Sequence, residues 1–150
     1  FEWQNTIMIV STRGRYALRV MVDLAQHQED GYVPLNVIAG RQDISEKYLE
    51  SILKVLVQDE LLTGLRGRGG GYRLTKEPKD YTLGEILRLT EGSLAPVACT
   101  DDGEHDCPRK ESCPSHPVWQ KLDTMINDFF DGITLADLIQ PSEKSKEKLS

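Results

Sequence analysis

Long apolar runs are missing from this chain, and none approaches the roughly 18 consecutive residues that a membrane-spanning helix requires. The first residues lack the basic segment and apolar core of a signal peptide, so we predict neither export nor a membrane anchor. Cysteine is scarce, with 3 residues in 150. This odd number, in a chain without an export signal, predicts a reducing cytoplasm rather than a disulfide framework.

The chain also lacks the sequence signatures of common enzymes. Its glycine-rich segment, RGRGGGYRL, has no Gly-Lys-Ser/Thr sequence of a phosphate-binding loop, and no strand–helix–strand unit surrounds it as in a dinucleotide-binding fold. No nucleophile–base pair or paired carboxylates stand out. We therefore predict that the chain is not an enzyme.

Excess positive charge is missing overall, because the net charge is −6, but the charges are unevenly distributed. Residues 1–79 carry 11 basic and 10 acidic side chains, whereas residues 80–150 carry 7 and 14. Residues 66–76 contain four basic side chains and no acidic one. Phosphate contacts depend on local patches rather than on total charge, so this segment is a candidate nucleic-acid contact. The alternative is an ordinary solvated charge run.

The first half of the chain has the pattern of three helices followed by a hairpin. Apolar residues at three- and four-residue steps predict helices over about 12–28, 35–41 and 46–58, with Ser45 capping the third. The tight turn before Ser45 indicates helix-turn-helix geometry. Residues 62–74 alternate around a glycine-rich turn at 67–71 and predict a two-stranded wing, whose arginines suit a DNA minor groove.

The second half contains two further amphipathic helices. A capping box of Thr82 and Glu85 predicts a helix to about Glu91, ended by Gly92. A longer helix is predicted from Val118, and its large apolar stripe favours a symmetric dimer interface over packing on its own domain. The charged tail after it is expected to be frayed. The stripe comprises Trp119, Leu122, Ile126, Phe129, Phe130 and Ile133.

All three cysteines lie in one acidic loop with the spacing Cys99-x7-Cys107-x5-Cys113-x2-His116. Two intervening residues let the last pair turn onto one ion, and thiolates with imidazole suit zinc or an iron–sulfur cluster. Without paired C-x2-C sequences or a fourth cysteine, the spacing favours a mixed-ligand redox cofactor over zinc. His105 is a less favoured ligand because its acidic neighbours are typical of a solvated loop. A disulfide switch, or thiols without a special role, are the alternatives.

Five segments resemble a known family of bacterial winged-helix transcriptional regulators, the IscR/NsrR/CymR type. In order they are STRGRYALRVMVDLA, VPLNVIAGRQDISEKYLESILKVL, RGRGGGYRL, YTLGEILRLTEG and HPVWQKLDTMINDFFDGITLADLI, spanning residues 11–139. The resemblance implies a mainly α (α+β) fold with a winged helix-turn-helix, a two-stranded wing and a long C-terminal dimerisation helix. We accordingly expect an N-terminal tail or expression remnant (1–10), a DNA-binding domain (11–80), a sensor loop with dimerisation helices (81–139) and a charged tail (140–150).

The resemblance also implies a function and the residues that perform it. We expect a homodimeric, sequence-specific repressor that reads a palindromic operator in double-stranded DNA. IscR-type members bind a 2Fe–2S cluster through three cysteines and a histidine, which match the loop cysteines and His116, although the first gap here is seven residues rather than five. Control by a protein partner, thiol oxidation or structural zinc is the alternative. The candidate DNA contacts are Arg13, Ser45, Lys47, Tyr48, Glu50, Lys54, Arg66, Arg68, Gly69 and Gly70.

Overall fold

Seven α-helices and one two-stranded antiparallel sheet form the described part of the chain. The computed structural model describes residues 10–100, 108–109 and 111–150, so Cys107 and His105 lie outside it. None of the helices in these ranges is both long and apolar enough to cross a bilayer. The elements are α1 (Thr12–Gln26), α2 (Leu35–Gln42), α3 (Glu46–Gln58), β1 (Leu62–Leu65), β2 (Gly71–Leu74), α4 (Leu83–Glu91), α5 (His116–Asp131), α6 (Leu135–Ile139) and α7 (Glu143–Leu149).

Serine side chains cap α1 and α3, and Ser45 does so at the predicted residue. Ser11 accepts a hydrogen bond from the Gly14 amide at 3.1 Å, and Ser45 accepts one from the Tyr48 amide at 3.2 Å. Each satisfies an amide that the first helical turn leaves without a partner. Between α2 and α3, Asp43 adopts a left-handed conformation with φ 53° and ψ 51°. This single residue reverses the chain and gives the helix-turn-helix its tight turn.

One hydrophobic core joins the two halves of the chain. Met21 of α1, Leu53 of α3 and Ile86 of α4 are fully buried in it, as is Leu135 of α6. Burying a side chain of this size contributes roughly 1.5–3 kcal/mol. Because α4 and α6 share the core with α1 and α3, the expected boundary at residue 80 does not divide the core.

The wing is a hairpin attached along one side to the strand-like residue Val33. Leu62 pairs with Leu74 and Leu65 with Gly71, while the backbones of Val33 and Tyr72 exchange two hydrogen bonds of 2.9 Å. Gly71 has a φ of 146°, and a Cβ there would collide with the Val33 carbonyl. Only glycine therefore lets the second strand come this close to Val33.

A buried tyrosine holds the base of the wing. The Tyr81 hydroxyl donates to the Leu61 carbonyl at 2.7 Å and accepts from the amides of Thr75 and Lys76, each at 2.9 Å. Tyr81 is fully buried, so these three hydrogen bonds replace the water that its hydroxyl loses. The two strands are thereby tied together where they leave the core.

The start of α4 and the start of α5 differ from the predictions in detail. Thr82 accepts from the Glu85 amide at 3.1 Å, but the Glu85 carboxylate lies 3.6 Å from the Lys76 Nζ, so the expected capping box is half formed. A complete capping box is present instead at Thr134 and Asp137, which begin α6. The α5 helix begins two residues before the predicted Val118, at His116.

Two predictions for the C-terminal region are wrong. The tail is not frayed, because residues 143–149 form α7 and the Ser145 hydroxyl, 1% exposed, donates to Asp137 at 2.7 Å. Ile133 does not belong to the exposed stripe of α5. It follows the end of that helix, is 2% exposed and lies in the core. The chain turns at Gly132, which takes Ile133 out of the helical spacing that predicted its position.

Candidate DNA-binding face and cysteine loop

The polar face of α3 presents unpaired charges. Lys47, Glu50 and Lys54 are exposed, and within the described residues none of them has a hydrogen-bonding or ionic partner. Ser45, at the start of the helix, is exposed as well. Tyr48 differs, because it is half-buried and its ring makes an edge contact with Tyr16 at 5.8 Å between centroids. The face is therefore exposed at Ser45, Lys47, Glu50 and Lys54, whereas Tyr48 is partly covered by Tyr16.

The first turn of α1 lies beside this face. The Arg13 guanidinium donates to the Ser51 carbonyl of α3 at 3.3 Å. Nearby, the Glu91 carboxylate at the end of α4 accepts from the Ser11 hydroxyl at 2.6 Å and from its amide at 3.1 Å. The predicted contact Arg13 thus belongs to the same surface as the α3 residues, and α4 ends next to it.

The turn of the wing carries two free arginines. Arg66, Arg68 and Gly69 are exposed, and neither guanidinium has a partner among the described residues. Gly70 is buried, and its amide donates to the Gly67 carbonyl at 3.0 Å. Because a Cβ on Gly70 would collide with the Leu65 carbonyl, this glycine shapes the turn. The prediction of Gly70 as a DNA contact does not agree with its burial.

Two of the loop cysteines lie in segments next to α5. Cys99 lies in a short 3-10 turn that packs against α5, Cys113 precedes the helix, and both thiols are free. The Cys113 Sγ lies 3.2 Å from the Ser115 Oγ. Hydrogen bonds from Ser115 lower the pKa of the Cys113 thiol and so favour the thiolate, which is the form that binds metals.

His116 is the unusual member of the predicted ligand set. It is 7% exposed, and neither ring nitrogen has a hydrogen-bond partner in the part of the chain that the structure describes. Buried polar atoms are nearly always paired, so such an imidazole is suited to a ligand that supplies the missing partner. With Cys107 outside the described residues, no three His, Cys, Asp or Glu side chains within them form a metal-binding group.

The long helix α5 is mostly uncovered. His116 is the only buried residue among its 16, and Val118, Met125 and Phe129 are 58%, 56% and 50% exposed. Trp119, Leu122 and Ile126 are half-buried; Phe130 is half-buried too and packs on the core. The predicted stripe missed Val118 and Met125, although they share three- and four-residue steps with Leu122 and Phe129.

Comparison with known proteins agrees with this combination of a wing and a helix-turn-helix. Residues 10–141 match the family model Rrf2, described as an iron-dependent transcriptional regulator. The chain belongs to the Rrf2 family. The predicted family resemblance, the winged-helix fold class and the absence of an enzyme activity are confirmed. DNA-binding transcriptional regulation follows from membership of this family.

Several Rrf2-family relatives cover most of the chain. It is 36% identical to the transcriptional regulator IscR of Aliivibrio salmonicida, over 91% of this chain and 80% of the relative. Among solved structures, CymR, the global cysteine regulator of B. subtilis, matches with a TM-score of 0.73 and 34% identity over 91% of this chain and all of that one. IscR of T. potens matches with a TM-score of 0.67 and 37% identity over 92% and 90%.

Proposed function

We propose that this Rrf2-family regulator is a homodimeric, sequence-specific repressor of transcription that is controlled by a 2Fe–2S cluster on its cysteine loop. The loop cysteines Cys99, Cys107 and Cys113 would bind the cluster with His116. The observation that carries the assignment is the burial of His116 with both ring nitrogens unpaired. An imidazole loses water on burial, and ligation of one nitrogen replaces that lost interaction.

The donor set supports iron–sulfur ligation. Thiolates with one imidazole hold clusters of this type in proteins, and the hydrogen bonds from Ser115 favour the thiolate of Cys113. When bound, a 2Fe–2S cluster supplies one-electron redox chemistry. The family model's description as iron-dependent and the similarity to IscR proteins favour this ligand over zinc.

The loop is joined to the DNA-binding face through α5 and α4. Cys99 lies in the short turn that packs against α5, and His116 is the first residue of that helix. Ligation of both residues would therefore hold the turn and the start of α5 together. At the other end of α5, Asp131 binds Arg88 of α4 through two hydrogen bonds of 2.8 Å. A change at the loop would therefore shift the population of dimers whose two α3 helices have the spacing of the operator.

Base recognition is assigned to α3 and minor-groove contact to the wing. Glu50 can accept a hydrogen bond from cytosine N4, and Lys47 lies in the same exposed region. Arg66 and Arg68 project from a thin turn, where a narrow minor groove attracts arginine. A two-fold dimer would place both α3 helices in major grooves about one helical turn, or a multiple of it, apart. The predicted cytoplasmic location fits this role and stays a prediction.

The cluster is tested by purifying the full chain without oxygen and measuring its absorbance spectrum, iron and sulfide. We expect a coloured protein with iron and sulfide, and a changed spectrum with weaker cluster retention in His116→Ala. The matched control is His105→Ala, a histidine of the same loop, which should leave the spectrum unchanged. A colourless chain with one zinc would indicate the structural-zinc alternative. A metal-free chain with full operator affinity would indicate control by thiol oxidation or a protein partner.

Base recognition is tested with a duplex that the wild-type chain selects from a random-sequence pool. Glu50→Ala should reduce the preference for this duplex over a scrambled one, because it removes a base contact. Glu46→Ala, which removes another exposed carboxylate from the first turn of α3, is the comparison for the loss of a negative charge and should leave the preference unchanged. Equal loss of affinity for both duplexes in Glu50→Ala would contradict the assignment of Glu50.

A further inference from the structure

A buried carboxylate on α1 holds the end of α2. Asp23 is 2% exposed, and its Oδ1 accepts from the Arg41 Nη2 at 2.6 Å. Its Oδ2 accepts from the Arg41 Nε at 3.1 Å and from the Gln42 Nε2 at 2.7 Å. Arg41 and Gln42 are the last two residues of α2. Three hydrogen bonds thus connect one buried charge to the point where that helix ends.

A second residue of α1 binds the same point. Arg19, one helical turn before Asp23, donates from its Nε to the Gln42 Oε1 at 3.2 Å and from its Nη2 to the Gln42 carbonyl. Gln42 is therefore held through its side chain and its backbone at once. Since an arginine and a carboxylate each restrict direction as well as distance, the last turn of α2 has little freedom to rotate against α1.

The connection from Gln42 to α3 is short. Asp43 takes the left-handed conformation, the Ile44 amide donates to the Ala39 carbonyl at 3.1 Å, and Ser45 caps α3. With three residues in this turn, the direction in which the chain leaves Gln42 sets where α3 begins and which face it presents. The buried leucines and isoleucine of α3 hold it against the core, but apolar contact is non-directional and controls rotation less well.

This hydrogen-bond network lies at the end of α2, where it affects the orientation of α3 more than the stability of the chain. The Asp23 carboxylate is buried, whereas the Arg41 side chain is 29% exposed, so mainly the carboxylate loses its hydration. Because this loss offsets much of the attraction between the two charges, apolar side chains of similar volume are often no less stabilising. We propose that Asp23 is a positioning residue for DNA recognition: by holding Arg41 and Gln42, it sets the orientation of α3 and so determines sequence selectivity. The proposal rests on the proposed function in one respect, namely that α3 reads bases.

The test separates selectivity from stability with the double variant Asp23→Leu/Arg41→Met, which replaces the ion pair by apolar side chains. Thermal unfolding should show a midpoint close to or above that of the wild type. The ratio of affinities for the selected duplex and a scrambled duplex should nevertheless fall at least about tenfold, as expected when a base contact is misplaced. Because both duplexes have the same charge, the loss of the Arg41 charge cancels in this ratio.

A second variant and a control complete the test. Gln42→Leu keeps the ion pair but removes the hydrogen bonds of the Gln42 side chain to Asp23 and Arg19. It should lower the ratio of affinities several-fold. If the double variant does not fold, this variant tests the positioning role in its place. Met21→Ala, a fully buried change on α1 without a polar contact, should lower stability and leave the ratio unchanged.

The outcomes distinguish this inference from the proposed function. If the wild-type chain selects no sequence from the random pool, the proposed function fails. If it selects a sequence and the folded double variant, or Gln42→Leu in its place, discriminates as well as the wild type, the positioning role of Asp23 is overturned while the proposed function stands. A drop in the ratio for Met21→Ala equal to that of the double variant would also overturn it, because general destabilisation would then explain the effect.

Discussion

Arg88 and Asp131 join α4 to the end of α5 through two parallel hydrogen bonds of 2.8 Å each. The Arg88 Nη2 also donates to the Asn127 Oδ1 at 2.7 Å. The hydrogen bond from Arg88 holds the pKa of Asp131 below its ordinary value, and Asp131 raises the pKa of Arg88 in return. The pair is partly exposed, so its importance lies in the fixed geometry between the two helices more than in its energy.

A glycine beneath this pair provides a test of the helix contact. Gly84→Ala should lower the free energy of unfolding by about 1–2 kcal/mol, because the new Cβ would collide with the Asp131 Oδ1 and lie 2.9 Å from the Arg88 Nη1. Gly40→Ala is the matched control: Gly40 is exposed within α2 and has nothing within 4 Å of its Cβ position. It should raise stability by about 0.5–1 kcal/mol. Chemical denaturation measures the free energy of unfolding of both variants. An equal increase in the two would contradict the close contact at Gly84.

Asp137 should make the stability of the chain dependent on acid pH. The hydrogen bond from the Thr134 amide, followed by that from the Ser145 hydroxyl, lowers the pKa of Asp137 to about 2. The unfolded value is about 4, so the stabilisation is complete above that pH and is lost as the pH falls towards 2. Asp137→Asn should remove about 1–2 kcal/mol at neutral pH and flatten this part of the pH profile. Asp59→Asn, at the exposed end of α3, is the control. A wild-type profile in Asp137→Asn would be inconsistent with this role.

The positive charge of the wing arginines in the minor groove should contribute to affinity for any duplex. Arg66→Ala is expected to weaken binding to selected and scrambled duplexes and to reduce the slope of log affinity against log salt by about 1. Arg73→Ala is the comparison, because its guanidinium lies over the Tyr32 ring at 4.5 Å, away from the turn of the wing. An unchanged salt slope in Arg66→Ala would remove the wing from the proposed interface.

The exposed apolar face of α5 should mediate dimerisation. Phe129→Glu places a charge on the exposed apolar face, next to Met125 and Phe130. We expect the dissociation constant of the dimer to rise at least about tenfold. Leu65→Glu changes an equally exposed side chain, 49% against 50%, on the wing and should leave the dimer intact. Sedimentation velocity at several concentrations measures both, and an intact Phe129→Glu dimer would place the interface elsewhere.

Much of the fold was predictable because local interactions define it. Ser45 and Thr82 cap helices at the predicted residues, and apolar spacing located the helices of the winged domain. Errors occurred where a distant contact overrides the local pattern. Ser145 is buried against Asp137, so a charged segment that would fray alone forms α7. The extension of the α5 stripe to Ile133 has a different cause, because the helix ends at Gly132 and Ile133 leaves the helical spacing.

The sequence by itself determined the helix-turn-helix, the wing and the spacing of the cysteine loop, since caps, glycines and apolar periods act over a few neighbouring residues. Only the tertiary structure decided that His116 is buried with unpaired nitrogens and that Asp23 binds Arg41, 18 residues away. No local pattern contains such information. Burial and long-range hydrogen bonds depend on which surfaces meet when the helices pack, and that is settled by the folded chain as a whole.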